Sequence, residues 1–394
     1  MSGGLREYPN LTGLRGFAAL WVLVYHAWVA AGPRQMFLPW TNVDITAAFS
    51  MGWIGVDVFF ALSAFLLTLP FVSAAAENRS KPAVRNYFQR RVLRILPAYY
   101  VQLALVLIFI GFMENRLALS PAALAAHAVL WLNLGPQPVA PLVGVWWTLP
   151  IEFGYYLLLP FLVPMLTPRR TLWLVICAIA ITLAYRYGMY LYAASEGYSV
   201  GQKVVLLEQL PGRLDQFVLG SAAAVWIAHR PDYGRSLRAG YARSLTLAGL
   251  AVVMLMMAVM SWTWQTYWDG IPLLFCFHLI VTIGVIAFIV GACSDQHPDL
   301  RILRLRPMAF IGTTSYGIYL WHQLIIQWLA KQNWIDTPTP YVLPTLLVVG
   351  GALTLMAASL SWRFIEAPCL TWGRSAFRRH KASPEIVGSK SDDS

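Results

Sequence analysis

Met51-Gly-Trp-Ile-Gly-Val-Asp-Val-Phe-Phe-Ala-Leu-Ser-Ala-Phe-Leu-Leu-Thr-Leu-Pro-Phe-Val-Ser73 carries a single charge, Asp57. A helix needs ~20 mainly apolar residues to cross the hydrocarbon core of a bilayer, and this stretch is long enough. Nine other stretches read the same way: 11–31, 95–113, 145–166, 171–192, 212–229, 244–262, 271–293, 309–330 and 341–363. A shorter apolar run, Pro121 to Leu134, reads as a re-entrant or interfacial helix. Composition agrees. Of 394 residues, 58% are hydrophobic and 12% charged, half the charge of a typical soluble domain. That balance excludes a disordered chain and an ordinary soluble enzyme. The expected fold is an all-α polytopic membrane protein of about ten transmembrane helices.

Lysine and arginine orient it. Of the 29, Arg15, Arg186, Arg213 and Arg363 lie in or at the ends of spans. With a cytoplasmic N-terminus, Arg34, Arg116, Lys203 and Lys331 fall outside, and the other 21 fall inside. Both termini are therefore expected in the cytoplasm. The net charge of +11 follows from this asymmetry, and no nucleic-acid partner is needed to account for it. Residues 1–370 read as one membrane domain and 371–394 as a polar, disordered cytoplasmic tail. No soluble catalytic domain is visible, so chemistry is expected within the membrane domain. The four cysteines show no metal-ligand spacing, and no metal site is expected.

Charges inside a bilayer are costly and mark function by default. Arg15, His26, Asp57, Glu152, Arg186, Arg213, Asp215, His278 and His322 all fall within predicted spans. By depth, His26, Asp57, Glu152, Arg213, Asp215 and His322 belong to the outer half, where helix packing would gather them into one polar cluster. Arg15 and His26 are eleven residues apart, about three turns, so they share a helix face ~16 Å apart along the axis. Histidine suits general acid–base work near neutrality. Asp57 or Glu152 is expected to orient His26, with His322 as a second proton-transfer group. Arg213 and Asp215 are weaker candidates for sugar contacts.

A second cluster lies at the inner face. Arg91 and Arg94, spaced i and i+3, share a helix face, and paired guanidinium forks suit phosphate oxygens. The positive-inside rule also predicts arginines here. Gly52 and Gly55 suit close helix approach, Ser315, Tyr319 and His322 fall on one stripe, and Trp146 and Trp147 look like interfacial belt residues. These residues leave several functions open. A secondary transporter or flippase uses the same intramembrane groups. A metal site built from His26, Asp57, Glu152 and His322 and a non-catalytic assembly scaffold are further alternatives.

Taken together, the motifs resemble the acyltransferase family 3 membrane proteins. Arg15 and His26 are similar to the family's Arg-x10-His signature. The other matches are Gly55-Val-Asp-Val-Phe-Phe-Ala-Leu-Ser-Ala-Phe65, Arg91-Val-Leu-Arg94, Trp147-Thr-Leu-Pro-Ile-Glu152, Ser315-Tyr-Gly-Ile-Tyr-Leu-Trp-His322 and Ser361-Trp-Arg-Phe-Ile-Glu-Ala-Pro368. They occur in the family order over nearly the whole chain. The resemblance implies an integral-membrane O-acyltransferase of the bacterial inner membrane. It would take an acyl group, most simply acetyl, from cytoplasmic acyl-CoA to a hydroxyl of an envelope glycan or glycoside. Arg15, Arg91 and Arg94 would bind the CoA phosphates, and His26, Asp57, Glu152 and His322 would carry the chemistry. One departure stands out: Ala64 occupies a position where the family commonly has glycine, and a local packing adjustment is expected there.

Overall fold

The computed structural model describes residues 8–113, 120–130, 139–230, 233, 239–295, 297, 299–332 and 341–373. The predicted tail from 374 and residues 131–134 of the predicted re-entrant segment lie outside the described residues. The helices are α1 (Pro9–Ala30), α2 (Thr46–Ser50), α3 (Gly55–Ala76), α4 (Val84–Met113), α5 (Pro121–Ala128), α6 (Thr148–Leu162) and α7 (Thr171–Ser195). They continue as α8 (Val200–Leu207), α9 (Leu214–Ala228), α10 (Ala239–Thr263), α11 (Pro272–Ala292), α12 (Arg306–Thr313), α13 (Ser315–Ala330) and α14 (Val342–Gly373). No β-strand occurs among the described residues. The protein is a polytopic all-α membrane protein.

Eight helical stretches among the described residues are long and apolar enough to span a membrane. The two other predicted spans are present but broken. The stretch 212–229 begins as a 3-10 turn over Leu210–Arg213, with Pro211 in its first turn, and becomes α9 only after Arg213 leaves helical geometry. The stretch 309–330 divides at Thr314 (φ −90°, ψ 6°) into α12 and α13. Hydropathy is blind to such breaks because it averages over a window.

Small residues set the packing. α1 lies against α3, α12 and α13. A Cβ on Gly13 would strike the Leu303 carbonyl, and one on Gly16 would come within 2.9 Å of the Gly312 nitrogen. Gly52 and Gly55 press on the α1 backbone at Trp21 and Ala18, as their spacing led us to expect. Ala64 is fully buried, and its Cβ sits 2.9 Å from where Gly220 of α9 would carry one. Ala64 is thus faced by a glycine on the neighbouring helix, which makes room for its methyl group.

Large apolar side chains such as Phe161, Leu172, Trp173, Val348 and Phe364 point outward, which suits a lipid surround rather than water. Trp146 corrects the belt expectation. It is fully buried, donates its Nε1–H to Gln102 Oε1 at 2.7 Å, and packs edge-on against Tyr99. An internal amide acceptor explains why an indole can sit in the core.

Candidate active site

α1 brings Arg15 to the wall of a cavity with about 730 Å³ of empty space, mouth included. Gly13 and Gly16 make this possible, because they let α1 lie almost backbone to backbone on its neighbours, fixing the helix around Arg15. α4 supplies Arg91 and Arg94 to the same wall, and α6 supplies Glu152. Three guanidiniums therefore face one carboxylate, and all three interact with it electrostatically. Glu152 also accepts a hydrogen bond from Tyr156 Oη at 2.9 Å. The helices around the cavity are tied together by polar contacts. Tyr316 Oη donates to the Ile95 carbonyl at 2.8 Å, and Gln102 Nε2 donates to the Leu320 carbonyl at 2.7 Å, joining α13 to α4. Arg91 Nε and the buried Ser315 Oγ have no hydrogen-bond partner among the described residues.

One residue behind this wall lay unremarked in the sequence. Glu366 is buried, accepts from Ser361 Oγ at 3.1 Å, and interacts electrostatically with Arg94 and Arg15. It ends a π-helical turn, Trp362–Glu366, a geometry frequent at functional sites. The signal was available: a carboxylate near the end of an apolar span, within a motif already quoted.

Farther along α1, His26 meets His322 of α13. His322 Nε2 lies 3.1 Å from His26 Nδ1, and the ring centroids are 4.9 Å apart. His322 Nδ1 lies 3.0 Å from the Ile318 carbonyl, and His26 Nδ1 lies 2.9 Å from the Val22 carbonyl. Carbonyl oxygens only accept, so both neutral rings carry their proton on Nδ1. His322 Nε2 is then an acceptor toward His26, and His26 Nε2 keeps a free lone pair. Eleven residues on α1 thus join the cationic cavity to an imidazole pair, as the helical spacing led us to expect.

The predicted single cluster is three separate groups. Glu152 belongs with the arginines. Its carboxylate is held by Tyr156, not by a histidine, because α6 starts at Thr148 and places Glu152 one turn in, facing the cavity. Asp57 sits on the other side of α3 and is almost fully buried. Its Oδ1 accepts from Arg213 Nη1 at 2.8 Å, from His278 Nδ1 at 2.8 Å and from Gln216. Arg213 also pairs with Glu208, which Arg186 reaches at 3.3 Å. Arg186 further donates to the carbonyls of Leu274, Leu207 and Gly212. Asp57 therefore has no side-chain contact with His26, and its histidine partner is His278. Arg213, buried between two carboxylates, is not presented to a sugar. Asp215 is also buried, with its Oδ1 accepting the Gln216 backbone N–H at 2.9 Å. Depth along a span is legible from sequence; which face of the helix looks at which neighbour is not.

Among the described residues no group of three or more His, Cys, Asp or Glu is placed to hold a metal ion. The four ligands considered for one are divided between the three groups.

The sequence profile of the acyltransferase domain matches residues 8–362. The O-acetyltransferase OatA of Staphylococcus aureus (strain NCTC 8325 / PS 47) is 25% identical over 391 residues, covering 94% of this chain and 58% of its own length. The putative peptidoglycan O-acetyltransferase YrhL of Bacillus subtilis (strain 168) is 27% identical, covering 95% and 56%. The peptidoglycan O-acetyltransferase OatA of Listeria monocytogenes is 29% identical, covering 92% and 56%. The chain thus spans less than three fifths of the length of these curated relatives. No solved structure matches it.

Proposed function

Because the chain belongs to the acyltransferase family through residues 8–362, we propose that it is a membrane O-acetyltransferase. In this reading it takes an acetyl group from cytoplasmic acetyl-CoA and passes it to a hydroxyl of a cell-envelope glycan. Relatives named for O-acetylation of peptidoglycan support the acceptor class. The observation that carries the proposal is the cavity in which Arg15, Arg91 and Arg94 face a single glutamate. Three cations against Glu152, with Glu366 behind the wall, still leave an excess of positive charge in a site of low dielectric, which favours a polyanion. The phosphates of CoA supply one.

The lysine and arginine asymmetry puts the arginine end of the cavity toward the cytoplasm. The membrane would be the bacterial cytoplasmic membrane. CoA phosphates rest on Arg15, Arg91 and Arg94, and the pantetheine arm follows the α1 face toward His26. Glu152, held by Tyr156, fixes the guanidiniums in place. At the far end, His26 Nε2 takes the proton of the acceptor hydroxyl as its oxygen attacks the thioester carbonyl. The new C–O bond forms, the C–S bond breaks, and the departing thiolate takes the proton back from His26 to leave as CoA thiol. His322 Nε2 accepts the shared Nδ1–H of His26, which stabilises the imidazolium formed in the step. Asp57 takes no part in this proton transfer, because its carboxylate is engaged by Arg213, His278 and Gln216 on the other side of α3.

The experiment is acetyl transfer from radiolabelled acetyl-CoA to crude envelope glycan by purified protein in liposomes. Wild type, His26→Ala and Arg91→Ala are compared. Label should reach glycan with wild type, fall to background with His26→Ala, and need more acetyl-CoA with Arg91→Ala. If wild type neither transfers label nor binds any acyl-CoA, the reading fails. Flux of a polar glycoside through the same liposomes would then decide for a transporter.

A further inference from the structure

Between the arginines and the imidazole pair stands one side chain that touches both compartments. Tyr319 lines the cavity, and its ring lies 5.8 Å, centroid to centroid, from that of His322. Its other neighbour is Phe59, also 5.8 Å away in edge contact and also in the cavity wall. The two rings are the part of the cavity lining that adjoins the histidine pair.

The Tyr319 ring is held in place. Its hydroxyl donates to the Val145 carbonyl at 3.1 Å and pairs with Thr148 Oγ1 at 3.0 Å. The Val145 backbone is anchored in turn, since its N–H donates to Gln323 Oε1 at 2.7 Å. Both hydroxyl contacts are buried, so turning the ring aside would break two hydrogen bonds in a site without ready replacements. The first turns of α6 and α13 are thereby locked together at the wall.

We propose that Tyr319 and Phe59 set the length of the acyl group that the protein accepts, admitting acetyl and excluding longer chains. The inference rests on the acyl-CoA reading above. With CoA phosphates on the arginines, the acyl end of the thioester arrives at this wall. An acetyl methyl packs against the two rings, at the side of the path along α1, which leaves its carbonyl open to a hydroxyl held by His26. Additional methylenes meet closed-packed aromatic surface. A pocket that lacks room for one methylene discriminates by about tenfold or more, so butyryl, two methylenes longer, is refused.

The test measures two things across acetyl-, butyryl- and hexanoyl-CoA: thermal stabilisation of the purified protein, and release of CoA thiol with glycan present. Wild type should prefer acetyl over butyryl in both. Tyr319→Ala and Phe59→Leu each open the wall and should shift that preference toward butyryl by about tenfold. Tyr319→Phe removes the hydroxyl but keeps the ring, so it should retain the wild-type order of chain lengths. Should Tyr319→Ala not fold, Phe59→Leu and the binding measurement decide alone. The proposal is overturned if the opened variants bind acyl-CoAs with the wild-type preference. It is also overturned if wild type binds all three chain lengths alike. Wild type that binds no acyl-CoA overturns the acyltransferase reading itself, which is a different and separable failure.

Discussion

The cavity wall of Arg15, Arg91, Arg94 and Glu152 and the closed cluster of Asp57, Glu208, Arg186, Arg213 and His278 are made of the same kinds of side chain, buried in the same bundle. In the closed cluster two carboxylates meet two guanidiniums, and Arg186 spends its remaining donors on three backbone carbonyls. Charge is balanced one to one, although Arg213 Nε and Gln216 Oε1 have no hydrogen-bond partner among the described residues. At the cavity three guanidiniums share one lining carboxylate, and Arg91 Nε has no hydrogen-bond partner among the described residues. A charge-balanced cluster fastens helices; one with surplus cations that borders empty space is equipped to hold a ligand. The comparison teaches that intramembrane charge alone does not separate structure from function. The balance of charge and the presence of open space beside it do.

The contrast can be broken by four substitutions. The largest effect is expected at the histidines: His26→Ala should lower acetyl transfer by about 10²–10⁴-fold, the usual worth of a general base. Its melting temperature in detergent should stay close to that of wild type. Next is Asp57→Ala, which should act in the opposite way. It leaves Arg213 and Arg186 to share the single carboxylate of Glu208 in a buried site, and loss of one partner of such a pair costs about 3–5 kcal/mol. The variant should therefore unfold early or fail to accumulate, as read by size-exclusion profile and thermal melt. A stable, inactive Asp57→Ala would contradict the division drawn here and return Asp57 to the chemistry. Arg91→Ala comes third. It should raise the acetyl-CoA concentration needed for half-maximal transfer by about 10–100-fold, as losing a hydrogen bond to a charged group does, with little change in the melt. Last is Tyr155→Phe, in the purely structural Tyr155–Ser221–Thr68 network, where the shortest contact is 2.6 Å. Ser221 keeps Thr68 and the Phe217 carbonyl as partners, so the loss should be about 1 kcal/mol of stability with transfer intact.

The same contrast explains what was legible in the sequence. Spans were readable because twenty apolar residues in a row is a local property. Arg15, Arg91 and Arg94 stood out because cations are rare at such positions, and helical spacing alone put Arg15 and His26 on one face. The break at Thr314 was not readable, since the chain on either side of it remains apolar and helical. Nor was the partner of Asp57, because His26 and His278 are equally good candidates until the rotation of α3 is known. Trp146 looked interfacial for the same reason: its position near a span end is visible in sequence, whereas the Gln102 amide oxygen that accepts its hydrogen bond is not. Glu366 was overlooked although its motif was in view, because a residue at the end of the last span invites no question about depth.

The last helix, α14, has a consequence for insertions and deletions. An α-helix advances about 100° per residue, and a π turn accommodates one residue more than an α turn. α14 contains two such turns, Leu346–Gly350 and Trp362–Glu366, so its angular phase is reset twice along its length. The second reset falls at the carboxylate that faces Arg94. Deleting one residue within 362–365 would relax that turn to regular α-geometry and leave Glu366 facing roughly as before, whereas deleting one within the regular α-helical stretch 352–360 would swing Glu366 by about 100°, away from the arginines, while leaving the span's hydropathy and its fit to the bilayer almost untouched. The helix is thus indexed as well as hydrophobic: its composition secures the crossing, and its phase secures the direction in which its one buried carboxylate points.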